Sequence, residues 1–421
     1  MSVSKFKDAQ EVYDMGHFAA AITYAKEALK ADKKNWQILN FIGSAFANLG
    51  EYDECVKYCK RALKISPRNA HVLSNTAVAY QEKGQHERAI QYFNQAVAIE
   101  PETPVFKHNL AHLNFLLGDF EEFVKNYPYR HFVDKSFVTT QEPLLGFSQE
   151  QRFEGKSILV YQEQGLGDEI FFIRLLPEFL RNHPSELSVI CDPRLKKICS
   201  RSFDNIKFYS SVEDIHEDNE IECKIPMGDL LLFSKHDNSR VTCPPWQPDK
   251  AKFDAWKNRL SSLRKQYPAI GISWSGGRHL RSKKKRSISL PDLIMSLPTN
   301  VHLVNVQYDY DPNEIRDAEI KCERKIWNWD FFDPKYDIEN LAGLVANLDA
   351  VVSVDNTTVH LAGALGVSTI VLLPVDPDFR WGLSNETSPF YPSVSCIRQK
   401  SFDSWDVLEE IDITLHRLLK F

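Results

Sequence analysis

Gly16, Gly50, Gly84 and Gly118 stand 34 residues apart, three times in succession. Each opens a similar turn: GHF, GEY, GQH and GDF. Pro67 and Pro101 keep the same period, in KISPRN and AIEPET. A fixed period of this length marks a chain of stacked units, none of which can bury its apolar face alone. One unit reads Ala77, Tyr80, Gly84, Ala89, Phe93, Ala96 and Pro101. Small residues let two helices approach closely, aromatic rings fill the groove between them, and proline stops the second helix. The fourth unit begins with Ala111, Asn114 and Gly118 and then departs, with Pro128 where its second helix should continue. The array is therefore expected to end near residue 130.

This helix–turn–helix unit resembles the tetratricopeptide repeat. Arrays of that kind stack into a solenoid with a concave face. The resemblance implies recognition of an extended peptide or a partner protein; a dimerisation surface or a plain structural extension are the alternatives. Nothing in the array gathers acids, bases or nucleophiles.

From residue 157 the pattern changes. Short runs rich in Val and Ile alternate with amphipathic stretches: SILVYQ, LSVICD, IKFYSS and ECKIPM, then AIGISWSG, HLVNVQ, RKIWNW, AVVSVD and STIVLLP. This is the signature of βα units on parallel sheets. The prolines of CPPWQPDK, residues 243–250, interrupt it as an interdomain linker would. The expected fold class is α plus α/β, a helical repeat solenoid over 1–132 followed by two Rossmann-like α/β halves over 133–245 and 246–421. The last helix is expected to cross back to the first half. Two such halves suit the GT-B arrangement of glycosyltransferases, and equally a periplasmic-type binding protein or a sugar-phosphate isomerase.

Composition narrows the function classes. A net charge of −6 over 421 residues is not that of a general nucleic-acid binder. No run approaches the roughly 18 apolar residues of a membrane span, and MSVSKFKDAQEVYDMGHF has no signal-peptide core. The eight cysteines are scattered. Cys55 and Cys59 lie one helical turn apart without companions to complete a zinc set, so they read as buried thiols of a cytoplasmic protein.

Residues 351–374, VVSVDNTTVHLAGALGVSTIVLLP, carry the densest pattern. A strand ends at Asp355, and the polar Asn356, Thr357 and Thr358 open a helix of small residues. A helix starting at a strand's C-terminal end offers free N–H groups and a positive dipole end to a phosphate. The competing role is a simple N-cap by Asn356 or Thr357. The segment resembles the heptosyltransferase-like glycosyltransferases, whose donor motif has the form D-T-x-x-x-H-x-A, matched here by Asp355, Asn356, Thr357, Thr358, His360 and Ala362, with Asn356 where the family usually has Thr. Their second domain also opens with a strand and loop, here GISWSGGRHLRSKKKRSISL, and their first with a Gly-Asp corner, here Gly167–Asp168. Together with DPDFRWGLSNETSPFYP these features span nearly all of 157–421. Repeat arrays joined to such a domain are similar to bacterial protein and flagellin glycosyltransferases.

The resemblance implies a nucleotide-sugar site in the second half and an acceptor site in the first. Residues 278–286, RHLRSKKKR, hold six cations in nine positions. Placed after a strand, such cations stabilise charge on a leaving phosphate. Arg286 and Ser287 are expected nearest the phosphates, Ser275 and Gly276 at close backbone approach, and Gln307 against the nucleotide. Arg278 and Lys283 to Lys285 tune the field or close over the donor. Asp330 and Asn340 are weaker candidates for base or ribose, and Arg380 and Trp381 for the sugar pocket. In YQEQGLGDEIFFIR, Gly165 and Gly167 free the backbone to turn sharply. Asp168 is either a helix-terminal charge or the base that takes the acceptor hydroxyl's proton, the role its counterpart has in the resembled enzymes; Glu163 and Glu169 are its rivals. D-x-D pairs at Asp309–Asp311 and Asp376–Asp378 are the pattern of metal-dependent transferases, but this architecture usually needs neither metal nor other cofactor. The expectation is an inverting glycosyltransferase moving a sugar to a hydroxyl of a protein chosen by the repeats. A glycan or lipid-linked-sugar transferase, and a non-catalytic scaffold with a vestigial nucleotide site, are the alternatives.

Overall fold

A computed structural model describes residues 2–133, 153–215, 221–233, 243, 245–277, 280–401 and 404–419. The chain divides into two compact units. One holds residues 1–135 with 277–285 and 374–379; the other holds 136–276, 286–373 and 380–421.

The first unit is a ladder of antiparallel helices: α1 (Ser2–Asp14), α2 (Phe18–Ala31), α3 (Trp36–Asn48), α4 (Tyr52–Ile65), α5 (Ala70–Glu82), α6 (His86–Ile99), α7 (Pro104–Leu117), α8 (Phe120–Asn126) and the single turn α9 (Arg130–Val133). The 34-residue period has a conformational cause. Gly16, Gly50, Gly84 and Gly118 all have φ between 71° and 81°, the left-handed region that glycine enters without a Cβ penalty. The helix starts repeat as well. The side chains of Asn35 and Asn69 accept from the N–H groups of Ile38 and Val72, satisfying donors the first turn leaves open. Ala77, Tyr80, Ala89 and Phe93 form one buried cluster with Leu110 and Leu113, as the small-and-aromatic pattern requires. The fourth pair does shorten, with a 3₁₀ turn at Tyr127–Tyr129 around Pro128. Cys55 and Cys59 are buried free thiols, with Sγ atoms 4.0 Å apart.

The second unit opens with β1 (Ser157–Tyr161), α10 (Leu166–Ile173), α11 (Leu176–Phe179), β2 (Glu186–Ile190), α12 (Pro193–Ser202), β3 (Lys207–Tyr209), β4 (Cys223–Pro226) and α13 (Leu230–Phe233). It continues with α14 (Lys250–Leu260) and β5 (Ala269–Ser273); α15 (Leu280–Lys285) follows in sequence but belongs to the repeat unit. Then come α16 (Leu290–Met295), β6 (His302–Asn305), α17 (Pro312–Cys322), β7 (Ile326–Trp327), α18 (Ile338–Val345), β8 (Ala350–Val354), α19 (Thr357–Ala364), β9 (Thr369–Leu373), β10 (Val394–Arg398) and α20 (Glu409–Leu419).

The strands form two parallel sheets, ordered β3-β2-β1-β4 and β10-β9-β8-β5-β6-β7. β5, β8 and β9 are buried along their whole length, which is why they read as continuous apolar runs rather than alternating ones. Nine of the ten described strands fall on the runs named above. The tenth, β10, lacks such a signal because VSCIR follows a loop rich in Pro and Ser.

One expectation needs correction. The last helix does not cross back: Ile411 and Leu415 are buried in the core of the six-stranded sheet with Ile270, Val352 and Ile370. Apolar residues on one face of α20 find that core adjacent to β10, so no crossing is needed. The proline-rich stretch falls between the last strand of the four-stranded sheet and the first of the six-stranded one. There Trp246 is 2% exposed and its backbone N–H donates to the Ala364 carbonyl, which anchors this point of the chain against the end of α19.

Candidate functional site

In open parallel sheets, ligands bind outside the C-terminal ends of strands where the strand order reverses. In the six-stranded sheet that point lies between β5 and β8. The loop after β5 carries Ser275 and Gly276, and the loop after β8 carries Asp355 and Asn356. The two loops nearly touch: a Cβ on Gly276 would stand 2.8 Å from the Asp355 carbonyl oxygen.

Asp355 is 2% exposed. Its Oδ2 faces Arg286 Nη1 at 3.3 Å, and its Oδ1 faces His360 Nε2 at 3.8 Å. Arg286 is the more open member of that pair, with 30% of its side chain exposed. A buried carboxylate cannot itself attract a diphosphate, but it can hold a guanidinium at the rim. Ser287 Oγ lies 3.2 Å from Ser275 Oγ and accepts from the Gly276 N–H at 3.3 Å, tying the segment before α16 to the loop after β5. Thr357 is the first residue of α19 and is half-buried.

Three candidates turn out to be committed to the protein itself. Gln307 was expected against a nucleotide. Instead its Oε1 accepts from Ser273 Oγ and from the Trp274 and Ser275 N–H groups, while its Nε2 donates to the Ser275 and Tyr308 carbonyls. Both amide donors are used, so Gln307 shapes the loop after β5. Asn356 caps α19: its Oδ1 accepts from the Thr358 N–H and its Nδ2 donates to Ser273 Oγ and the Ser275 carbonyl. Thr358 is fully buried and donates its hydroxyl to the Val306 carbonyl. Polar side chains beside a sheet end must satisfy buried backbone groups first, and sequence alone does not show which are spent this way.

His360 is fixed on several sides. Its Nδ1 lies 2.9 Å from Tyr391 Oη, and its ring stacks on Trp381 at 5.3 Å and 24°. Trp381 is fully buried, so the indole packs against the histidine.

The corner after β1 also differs from expectation. Gly165 is extended, with φ −105° and ψ 170°, and the sharp turn is made by Gln164 at φ 69°. Gly167 serves packing instead: a Cβ there would lie 3.2 Å from His360 Cδ2 and 3.4 Å from Thr357 Cα. The small residue lets the first turns of α10 and α19 cross. Asp168 sits in that turn. Its Oδ2 accepts from the Gly165 N–H at 3.1 Å, and its Oδ1 pairs with Arg380 Nη2 at 2.6 Å. Arg380 is itself buried and lies 4.8 Å from the Phe171 ring centroid. Glu163 is buried, with Oε2 accepting from the Gly228 N–H, so it braces the loop after β4.

Glu169 is buried, and its Oε2 accepts from the Asp192 N–H at 2.7 Å. Burial pushes its carboxyl up to about 8, against the pull of that hydrogen bond. The folded chain thus binds this proton more tightly than the unfolded chain. The stability it contributes is complete below the ordinary carboxylate range and is lost as pH rises through about 8. Glu169→Gln is expected to match the parent in acid and to exceed its stability by ~1–3 kcal/mol near pH 9. Urea unfolding at the two pH values checks this.

The remaining candidates lie elsewhere. Asp330 contacts Asn328, and Asn340 bonds Asp337 at the start of α18. Asp309 pairs with Lys335, and Asp311 caps α17. Arg278 and His279 lie outside the described residues. Lys285, expected near the donor, is instead in the repeat unit. It binds Glu82 at 2.9 Å and Asp376 at 2.8 Å, and Asp376 also meets His86 Nε2 at 3.1 Å. This corrects the reading of Lys285 as a cation that tunes the donor field or closes over the donor. Burial disfavours the ammonium, but the two carboxylates outweigh it and hold Lys285 well above its ordinary value. Among the described residues no group of three or more His, Cys, Asp or Glu is placed to hold a metal. No described helix is long and apolar enough to cross a membrane.

The repeat unit has a groove of its own, a cavity of about 330 Å³. Its lining includes Ser44, Asn48, Asn75, Gln81, Glu82 and Asn109. They come from α3, α5 and α7, so successive repeats present amides and a hydroxyl along one surface. Among the described residues no Lys or Arg lines it.

Comparison with known proteins supports the repeats. Residues 37–102 match the tetratricopeptide repeat family. Protein FlbA of Caulobacter vibrioides is 28% identical over 280 residues, covering 61% of this chain and 45% of FlbA. That stretch is longer than the repeat array, yet the chain spans only about half the length of this curated relative. Among solved structures, the first TPR of Spaghetti (RPAP3), bound to the HSP90 peptide SRMEEVD, is 16% identical with a TM-score of 0.27, covering 28% of this chain and 92% of that one. A MamA protein is 18% identical with a TM-score of 0.29, covering 34% and 79%.

Proposed function

We propose that the chain is an inverting glycosyltransferase of GT-B type whose α/β region takes a nucleotide sugar and whose repeat groove takes an extended segment of a protein acceptor. One observation carries the donor half of this reading: Arg286, held by buried Asp355, stands at the switch point beside the first turn of α19. A guanidinium and the N-terminal end of a helix are two complements to a phosphate. Arg286, Ser275, Gly276, Ser287 and Thr357 would line the donor, and no metal or other cofactor is part of the reading. For the acceptor, a groove lined largely by amides, with no Lys or Arg among its described lining residues, suits a neutral, extended segment bonded through its backbone, and not an acidic tail that needs basic partners. Nucleotide sugars place the reaction in the cytoplasm.

In the reaction, the acceptor hydroxyl oxygen attacks the anomeric carbon from the face opposite the phosphate. The bond from that carbon to the phosphate oxygen breaks, and the nucleotide leaves with its electron pair. The hydroxyl proton passes to Asp168, on a lone pair that Arg380 and the Gly165 N–H leave open. Those two contacts are also what favours the second reading, a scaffold whose Asp168 merely caps α10.

Asp168→Asn separates the two. It is expected to reduce transfer by about 10²–10⁴-fold while leaving nucleotide affinity within about twofold. The assay offers UDP-, GDP-, ADP- and CMP-linked sugars with neutral and acidic-tailed peptides, and reads peptide mass. Unchanged transfer in the variant would remove Asp168 from the mechanism. No transfer by the parent to any protein or peptide, with no nucleotide bound, would favour the scaffold.

A further inference from the structure

Tyr391 has no place in the reading above, and its surroundings are unusually specific. It precedes β10 and is fully buried. Its ring takes the space that a side chain on α19 would fill: a Cβ on Gly363 would stand 2.5 Å from Tyr391 Cδ1. The Arg174 guanidinium lies 4.8 Å from the ring centroid. The phenol is thereby aimed at one atom, His360 Nδ1, at 2.9 Å.

Beyond His360 the contacts continue in one direction. His360 Nε2 faces Asp355 Oδ1 at 3.8 Å, and Asp355 Oδ2 faces Arg286 Nη1 at 3.3 Å. The first three members are buried, and Arg286 has the exposed end. We propose that Tyr391 is a positioning residue for Arg286, acting through the tautomer of His360 and the carboxylate of Asp355.

The chemistry selects one arrangement of protons. If Nδ1 carried the hydrogen, the Nε2 lone pair would face a carboxylate oxygen, which is repulsive. If the phenol donates to Nδ1, Nε2 carries the hydrogen and presents it to Asp355. Burial raises the phenol well above its ordinary value, so it keeps its proton and remains a donor. Stacking on Trp381 fixes the plane of the imidazole, and so the direction of the Nε2 hydrogen. The other carboxylate oxygen of Asp355 is then directed at Arg286. An arginine at a site rim has many rotamers, and a fixed carboxylate behind it selects among them.

The test has two arms, both on the full chain. In the first, ¹⁵N-histidine labelling follows the ring nitrogens, with His360 assigned by its loss in His360→Gln. The parent is expected to show hydrogen on Nε2 and an Nδ1 that accepts a hydrogen bond. Tyr391→Phe, which removes one oxygen, is expected to move Nδ1 to the shift of an unbonded acceptor. Hydrogen on Nδ1 in the parent, an unbonded Nδ1 there, or no change in Tyr391→Phe would overturn the proposal. The parent spectrum alone decides it should the variant fail to fold.

The second arm rests on the donor reading. For whichever of ADP, UDP, GDP or CMP binds, Tyr391→Phe is expected to weaken affinity about fivefold. In an Arg286→Ala background it should cost nothing further. Equal losses in both backgrounds would overturn the relay. Binding of no nucleotide would sink the donor reading and leave the first arm to decide the place of Tyr391.

Discussion

Lys285→Met is expected to destabilise the repeat unit by about 3–5 kcal/mol. The ammonium is the cation between Glu82 and Asp376. Methionine preserves the length of the side chain and removes the charge, leaving two carboxylates close together in a poorly solvated place. Removing one partner of a buried pair costs far more than the pair contributes, because the remaining charge has lost both water and counter-ion. Amide hydrogen exchange in α5 and α6 is the readout, since Glu82 ends one helix and His86 begins the other. Exchange there should rise about 10²-fold or more. Adding Asp376→Asn to Lys285→Met should recover part of the loss, which a purely steric effect would not allow.

Phe379→Ala is the apolar counterpart, with an expected cost of about 3–5 kcal/mol. Phe379 is 4% exposed, and its ring lies 4.9 Å from His112, 5.1 Å from Phe115 and 6.2 Å from Tyr127. Those rings close the last repeat, where the helical pattern shortens. Exchange in α7 and α8 should rise, with β1 and β2 little affected. Lys285 and Phe379 share one feature of sequence: the next residue in each case, Arg286 or Arg380, belongs to the α/β region and pairs with a candidate site carboxylate.

The repeat array was legible because its signal is redundant. A glycine at positive φ, an asparagine cap and a small-aromatic core recur at one spacing, so each unit corroborates the others. The parallel strands were legible because burial on both faces writes itself as unbroken Val and Ile. What the sequence could not show was how polar groups are spent. Gln307, Asn356 and Thr358 have the residue types of a ligand site, yet their donors and acceptors are used on loops and on the start of α19. Lys285 lay in a run of six cations, and nothing in that run distinguishes the one that would meet Glu82, some 200 residues earlier. Gly165 and Gly167 invited a reading by flexibility. The turn fell instead to Gln164, and Gly167 answers a helix crossing with a residue nearly 200 positions away. Contacts distant in sequence leave no local pattern, and Tyr391 was missed for the same reason.

The account turns on whether the strand-end site holds a nucleotide. Calorimetric titration of the full chain with ADP, UDP, GDP and CMP, with and without magnesium, asks this directly. The expected result is binding of one nucleotide, indifferent to magnesium and weakened about 10–100-fold in Arg286→Ala. Failure of all four to bind the folded chain, or equal binding by parent and Arg286→Ala, would contradict it.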